Sequence, residues 1–186
     1  MADVYLPADS QRRLIEIARQ TLEATTRRSA FTQPSPYDFY LDQIKYGAFV
    51  TLFNQSVLRG CVGTCMPSSA LAMVVIEMTE AAATRDRRVK PVHVDELDRI
   101  HIHITVVSPL ERTDNPLGLE IGRHGLYVSR NGKQGVLLPQ VAVERGWSQE
   151  TFLEQTCLKA SLPGNAWLWK DTKISLFTGL MIEEER

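Results

Sequence analysis

Cysteine is scarce in this 186-residue chain, with three residues at positions 61, 65 and 157. An odd, low count excludes a disulfide framework and points to a reducing compartment, the cytoplasm. Long apolar runs are missing too. No stretch is long enough to span a bilayer, and the opening MADVYLPADSQRR has no apolar signal core. Charge of one sign is also lacking: 21 Lys and Arg face 22 Asp and Glu, for a net charge of −1. Bulk electrostatics therefore give no reason to expect a nucleic acid or an anionic membrane as partner. The one dense basic run, Arg85-Asp86-Arg87-Arg88-Val89-Lys90, reads as a helix C-terminus where cations offset the dipole. Walker and dinucleotide fingerprints, a G-x-S-x-G elbow and an H-E-x-x-H helix are all absent.

What is present is ordinary globular material. Hydrophobic residues make up 44% of the chain, enough for a core without covalent staples. The stretch 8–29 predicts a first helix, with Asp9 or Ser10 as cap and Leu14, Ala18, Thr21, Leu22 and Thr25 on one face. A loop follows, broken by Pro34 and Pro36. Residues 49–53 and 57–62 flank Asn54-Gln55 as a hairpin. Ser68 or Ser69 then caps a well-buried helix reaching residue 84. A strand is expected around 100–107, limited by Pro109. Asn131-Gly132 marks a second hairpin. A short helix starts after Pro139, a further helix is capped by Ser148 and ended by Pro163-Gly164, and a last strand closes the chain. There is no regular βαβ rhythm, so the expectation is an α+β fold with a mainly antiparallel sheet and flanking helices. Residues 1–186 read as a single domain, with the loop near 109–118 as the place where two lobes would part.

The chemistry gathers at LRGCVGT, residues 58–64. Gly60 and Gly63 permit positive φ or a close approach to the backbone. Arg59 can hold a carboxylate or phosphate in a bidentate fork, and its charge would favour the thiolate of Cys61. On a regular strand Arg59 and Cys61 face the same side. The alternative is a glycine-rich strand end packed on a helix, with Cys61 as a small core residue. A nucleophilic cysteine needs a base. His124, between Gly122 and Gly125, would present its ring in a loop or cap local backbone. His101 and His103 share a strand face. With Cys61 and Cys65 they offer zinc-type ligands, but C-x₃-C is not a standard zinc spacing and no metal is expected. In LLPQVAVERGW, Gln140 and Glu144 share a helix face and Trp147 supplies an apolar wall, either as a pocket rim or as a structural cap.

The order of these motifs, LRGCVGT, ELDRIHIHITVVSPLE, IGRHGL, GVLLPQVAVERGW, FLEQTCLKASLPGNAW and SLFTGLMIEE, resembles the AMMECR family over roughly residues 10–182. In bacteria and archaea that family is protein A of the AmmeMemoRadiSam set. The resemblance implies two unequal lobes around a largely antiparallel sheet, forming a cleft near the LRGC motif. It also implies an intracellular protein with a Memo-like, dioxygenase-related protein and a radical SAM enzyme as partners. It supplies no established reaction. The motif positions it carries over are Arg59, Gly60, Cys61, Gly63, Thr64, His124, Gln140 and Glu144. The family's I-E-I-S strand reads here Ile102-His103-Ile104-Thr105, so His103 replaces a glutamate. Two phenylalanines of the family's AAF-DPRF run are lost at residues 82–89.

The expected function is an enzyme or enzyme subunit acting on a small molecule at a cleft centred on LRGCVGT. Cys61 would be nucleophile or redox centre, and His124 or His103 would move protons. Arg59 would anchor the substrate, with backbone donors from Gly60 to Thr64 stabilising charge and Gln140 and Glu144 at the rim. No cofactor is expected. The alternative is a non-catalytic adaptor or ligand-binding partner of the Memo-like and radical SAM proteins.

Overall fold

A computed structural model of the chain describes residues 1–30 and 37–185. Pro34 and Pro36 of the expected loop lie outside them. The chain divides into two compact units, one of Tyr5–Val107 with Leu180–Arg186 and one of Met1–Val4 with Ser108–Gly179.

The unit holding the LRGC stretch opens with helix α1, Ala8–Arg27. Its N-cap is Pro7, not the expected Asp9 or Ser10. The proline sets the entry angle two residues before Asp9, and Asp9 falls in the first turn, where its charge favours the dipole. Leu14, Ile17, Ala18, Thr21 and Leu22 form the buried stripe. A short helix α2, Phe39–Asp42, is capped by Asp38. Strands β1, Gly47–Asn54, and β2, Val57–Thr64, pair antiparallel as expected. Helix α3 spans Leu71–Thr84. Ala70 is its N-cap, and neither Ser68 nor Ser69 caps it, because the Leu71 amide is satisfied by the Ile44 carbonyl at 3.0 Å. A 3₁₀ turn over Val94–Arg99 leads into strand β3, Ile100–Val107, which pairs with the other side of β1.

Alternation then sorts the side chains. Ala48, Val50 and Leu52 of β1 and Ile100, Ile102, Ile104 and Val106 of β3 are buried, on the face where α1 and α3 pack. Thr51, Phe53, His101 and His103 fall on the opposite face and are half-buried. Arg19 of α1 locks the unit's chain ends together. Its Nε donates to Glu184 Oε1 at 2.7 Å and Nη2 donates to the other carboxylate oxygen, while the Glu184 amide donates to the Ile102 carbonyl at 3.0 Å.

In the other unit, strands β5, His124–Arg130, and β6, Lys133–Leu137, form the second expected hairpin. Its turn residues Asn131 and Gly132 have φ of 50° and 78°, the left-handed pair a type I′ turn requires. Strand β7, Lys173–Glu183, which belongs to this unit up to Gly179, pairs with β5 and with the two-residue strand β4, Glu111–Arg112. Helix α4, Pro139–Arg145, starts on its proline. Helix α5, Gln149–Lys159, is capped by Ser148 but ends before Pro163, with Ser161 at φ 57°. Phe152, Leu153 and Cys157 of α5 pack on Leu126, Val128 and Ile174 in this unit's core. All of these pairings are antiparallel, and the fold class is α+β.

Candidate functional site around Cys61

The β1–β2 register runs Asn54↔Val57 and Phe53↔Leu58, then shifts to Leu52↔Gly60 and Thr51↔Cys61. Arg59 is therefore the extra residue of a β-bulge, which bends the strand locally. The expectation that Arg59 and Cys61 share a regular strand face does not hold. Arg59 turns instead to the 3₁₀ turn, where Nε donates to Glu96 Oε2 at 2.6 Å and Nη2 to Glu96 Oε1 at 2.8 Å. Glu96 also accepts from the His93 amide at 3.0 Å and from Asn54 Nδ2 at 3.3 Å. The Arg59 hydrogen bonds hold the Glu96 carboxyl down at about 2, against the opposing effect of burial.

The motif's other residues have packing roles. A Cβ on Gly60 would drive into the Ala82 carbonyl of α3, and one on Gly63 into the Phe49 ring. Both glycines are thus required by close approach within the fold. Thr64 Oγ1 accepts from the Met66 amide at 3.1 Å, a local turn contact.

Cys61 is the remainder. It is a free thiol of intermediate exposure, whereas Cys65 and Cys157 are buried. Thr51, directly across on β1, donates its hydroxyl to Cys61 Sγ at 3.2 Å. The cysteine's backbone is held on the outer edge of β2. Its amide donates to Asp86 Oδ2 at 2.9 Å, and its carbonyl accepts from Arg88 Nη2 at 2.9 Å. Arg88 in turn binds Asp86 at 2.6 Å. This hydrogen bond to Asp86 is the main reason the Arg88 guanidinium is raised above its ordinary value. The cation near the thiol is Arg88, out of the basic run read as a solvated helix end, and not Arg59.

On β3, His103 lies opposite Thr51, so Cys61, Thr51 and His103 form one cross-strand row. Strand spacing puts Cys61 and His103 about 10 Å apart across β1, too far for direct contact. His103 Nδ1 lies 3.7 Å from Glu183 Oε1, and its ring is 5.0 Å from that of Phe53. His101, opposite Phe53, lines the same hollow as His103.

His124, Gln140 and Glu144 belong to the other unit. His124 is not the open loop residue expected. It is the first residue of β5 and 7% exposed, and its Nδ1 accepts from the Glu120 amide at 3.0 Å. Burial pushes its imidazole below the ordinary histidine value, with Arg123 also lowering it and Glu120 opposing. Gln140 and Glu144 sit on α4, half-buried and exposed respectively. Trp147 packs near Phe152, centroids 6.5 Å apart, so it serves this unit's core. Among the described residues no group of three or more His, Cys, Asp or Glu side chains gathers to hold a metal ion, and no helix is long and apolar enough to cross a membrane.

With this geometry in place, the comparison with known proteins is direct. The AMMECR1 family pattern matches residues 15–182. The chain belongs to the AMMECR1 family. Protein Mbar_A1807 of Methanosarcina barkeri is 37% identical over 182 residues, covering 94% of this chain and 90% of that protein. A protein of Thermococcus gammatolerans is 38% identical over 185 residues, covering 92% and 89%. The crystal structure of the uncharacterized protein PH0010 from Pyrococcus horikoshii is similar at a TM-score of 0.90 with 34% identity, covering 97% of this chain and 94% of that one. The AMMECR1 fold is thus common to chains of well-diverged sequence.

Proposed function

We propose that this AMMECR1-family chain is a thiol-dependent enzyme or enzyme subunit acting on a small molecule over the Cys61–Thr51–His103 row. One observation carries this reading. Once the packing roles of Arg59, Gly60 and Gly63 are subtracted, the Cys61 side chain is left half-exposed, receiving a hydroxyl and sitting beside a cation. A half-exposed sulfur is open to an approaching electrophile, and the Thr51 hydroxyl fixes its position. The chemistry available is thiol addition. The Cys61 sulfur bonds to an electrophilic carbonyl carbon, the carbonyl π bond opens, and the thiol's proton passes to the new oxygen through the Thr51 hydroxyl beside the sulfur, while His103 holds the far end of the substrate. The gap of about 10 Å between Cys61 and His103 is the length of a small substrate lying across Thr51.

The adaptor reading, with the Memo-like and radical SAM proteins as partners, draws on a different observation. Arg59, which would have anchored an anionic substrate, is closed by Glu96. Incubating the protein with a cell metabolite extract separates the two readings. Turnover seen by mass spectrometry with the wild type and lost in Cys61→Ser supports the enzyme. Equal profiles, together with iodoacetamide labelling of Cys61 no faster than Cys157, overturn it.

A further inference from the structure

Beside the Cys61 row, the hairpin end of β1 and the start of β3 line a shallow hollow, open to solvent, of about 450 Å³, with Phe53, Gln55, Ser56, His101 and His103 on its walls. The volume suits a ligand a little larger than one heteroaromatic ring system. Its composition is selective. Among the described residues neither lysine nor arginine lines it, so they offer no fixed cation to a phosphate or carboxylate. Among the described residues neither aspartate nor glutamate is in the lining itself, and the carboxylate nearest to it in the ion pairs of the fold, Glu183, is turned to His103 Nδ1 at 3.7 Å. The hollow presents instead three rings and two neutral polar side chains that both donate and accept hydrogen bonds.

The rings are arranged, not scattered. The Phe53 and His103 centroids are 5.0 Å apart at 60°, so each buttresses the other. His101 is directly across from Phe53 in the β1–β3 register. The polar rim is held at a cost. Gln55 adopts φ 56°, a left-handed conformation where glycine or asparagine is the usual turn residue. A glycine would make this turn without strain, but would leave the hollow without its amide.

The geometry points to a binding site for an uncharged, planar heteroaromatic small molecule of the nucleobase or nucleoside class. The flat face stacks on Phe53, the His103 imidazole, tilted 60° to that ring, meets the ligand's edge, and the remaining edge is read by the Gln55 amide with Ser56 and His101. The hollow shares His103 with the thiol row, so this inference rests on the reading above and names the class of molecule that row would act on. The lack of Lys and Arg among the described lining residues favours a free small molecule over a base within a polynucleotide, whose affinity comes from phosphate contacts.

The test is a titration of the full chain and of Cys61→Ser with adenosine, guanosine, cytidine and uridine. Ribose serves as a non-planar control and a single-stranded oligonucleotide as the polymeric one. Affinity is read by equilibrium dialysis, and the site by the imidazole signals of His101 and His103 in NMR. The expected result is that at least one nucleoside saturates below about 1 mM, shifts both imidazoles, and binds Cys61→Ser as tightly as the wild type. Binding without turnover in either protein would leave the ligand class standing and remove the thiol chemistry. Phe53→Leu should weaken binding at least tenfold. Should Phe53→Leu fail to fold, Gln55→Gly decides, since it relieves the turn and should raise Tm while weakening the nucleoside several-fold. No imidazole shift with any nucleoside overturns the inference. So does equal binding of ribose, or binding of the oligonucleotide alone that salt abolishes.

Discussion

Arg59 and Glu96 form a two-pronged ion pair, with Nε to Oε2 at 2.6 Å and Nη2 to Oε1 at 2.8 Å. The side chains are 16% and 18% exposed. A half-buried fork of this kind ties the hairpin to the turn that launches β3. It gives Arg59 a structural contact in this chain.

Arg59→Ala is therefore expected to destabilise this protein, which reverses what an exposed anchoring arginine would give. Glu96 would lose both guanidinium bonds while remaining largely buried. Leaving a buried polar group unsatisfied costs about 1–3 kcal/mol, more for a charged one. Urea unfolding should show a lowered midpoint at unchanged slope, and Arg59→Lys should recover only part of it, since an ammonium cannot form the fork. An unchanged midpoint for Arg59→Ala would return Arg59 to the list of ligand-binding residues.

The acid limb of stability should report the same pair. Glu96 titrates at about 2 in the folded chain against an ordinary value of 4.5. A depressed carboxyl contributes stability that is present above its unfolded value and is lost as pH falls through its folded value. The loss should thus run from about pH 5 down to about pH 2. Asp86, held low mainly by the hydrogen bond from Arg88, adds in the same direction. Urea midpoints measured between pH 2 and pH 6 should fall steeply for the wild type and less steeply for Glu96→Gln. Parallel profiles would show that the ion pair is not linked to folding.

Much of the fold was legible because it rests on local signals. Alternation placed β1, β2 and β3, and Asn131-Gly132 placed the second hairpin. The site was only partly legible, for a reason that can be located. The turn falls at Gln55-Ser56, one residue later than the expected Asn54-Gln55, and counting outward from it in regular register puts Thr51 opposite Gly60. The bulge at Arg59 shifts this by one and puts Cys61 there instead. That single extra residue separates Arg59 from the thiol, brings Thr51 to it, and aligns His103 in the row. Nothing in the residue pattern announces a bulge, because both candidate registers place Gly60 and Gly63 acceptably. Asp86 and Arg88 were hidden differently. A charge run normally signals a solvated face, and their hydrogen bonds to the Cys61 backbone depend on how the chain leaves α3.

Gly60 offers a sharp test of that packing. A Cβ there meets the backbone carbonyl of Ala82, which cannot swing aside as a side-chain tip would. Gly60→Ala should cost at least the 1–3 kcal/mol typical of overpacking, roughly, because β2 must move off α3. Gly146→Ala makes the reference, since nothing lies within 4 Å of a Cβ there and only its φ of 63° opposes the change. Thermal unfolding should therefore show the larger loss for Gly60→Ala. A loss no greater than that of Gly146→Ala would mean that Gly60 serves something other than the strand–helix contact.

The edge of β2 leads to the last expectation. This strand is terminal in its sheet order, and an exposed strand edge is a template for pairing with another chain. At Cys61 that edge is closed by side chains. Asp86 takes the amide, Arg88 binds the carbonyl, and the two bind each other. The Asp86 side chain is 5% exposed and Arg88 60%, so Asp86 is the fixed member and Arg88 the cover. Asp86→Ala removes the acceptor of the Cys61 amide and the anchor of Arg88 at once. Stability should drop by about 1–3 kcal/mol for the orphaned groups. The opened edge should also make the protein self-associate, seen as concentration-dependent mass in sedimentation or light scattering. Arg88→Ala leaves the amide satisfied and should show the milder form of both effects. If Asp86→Ala stays monomeric at high concentration while losing stability, the clamp holds Cys61 in place without guarding the edge. If it loses neither, the Asp86–Arg88 pair contributes nothing to either role.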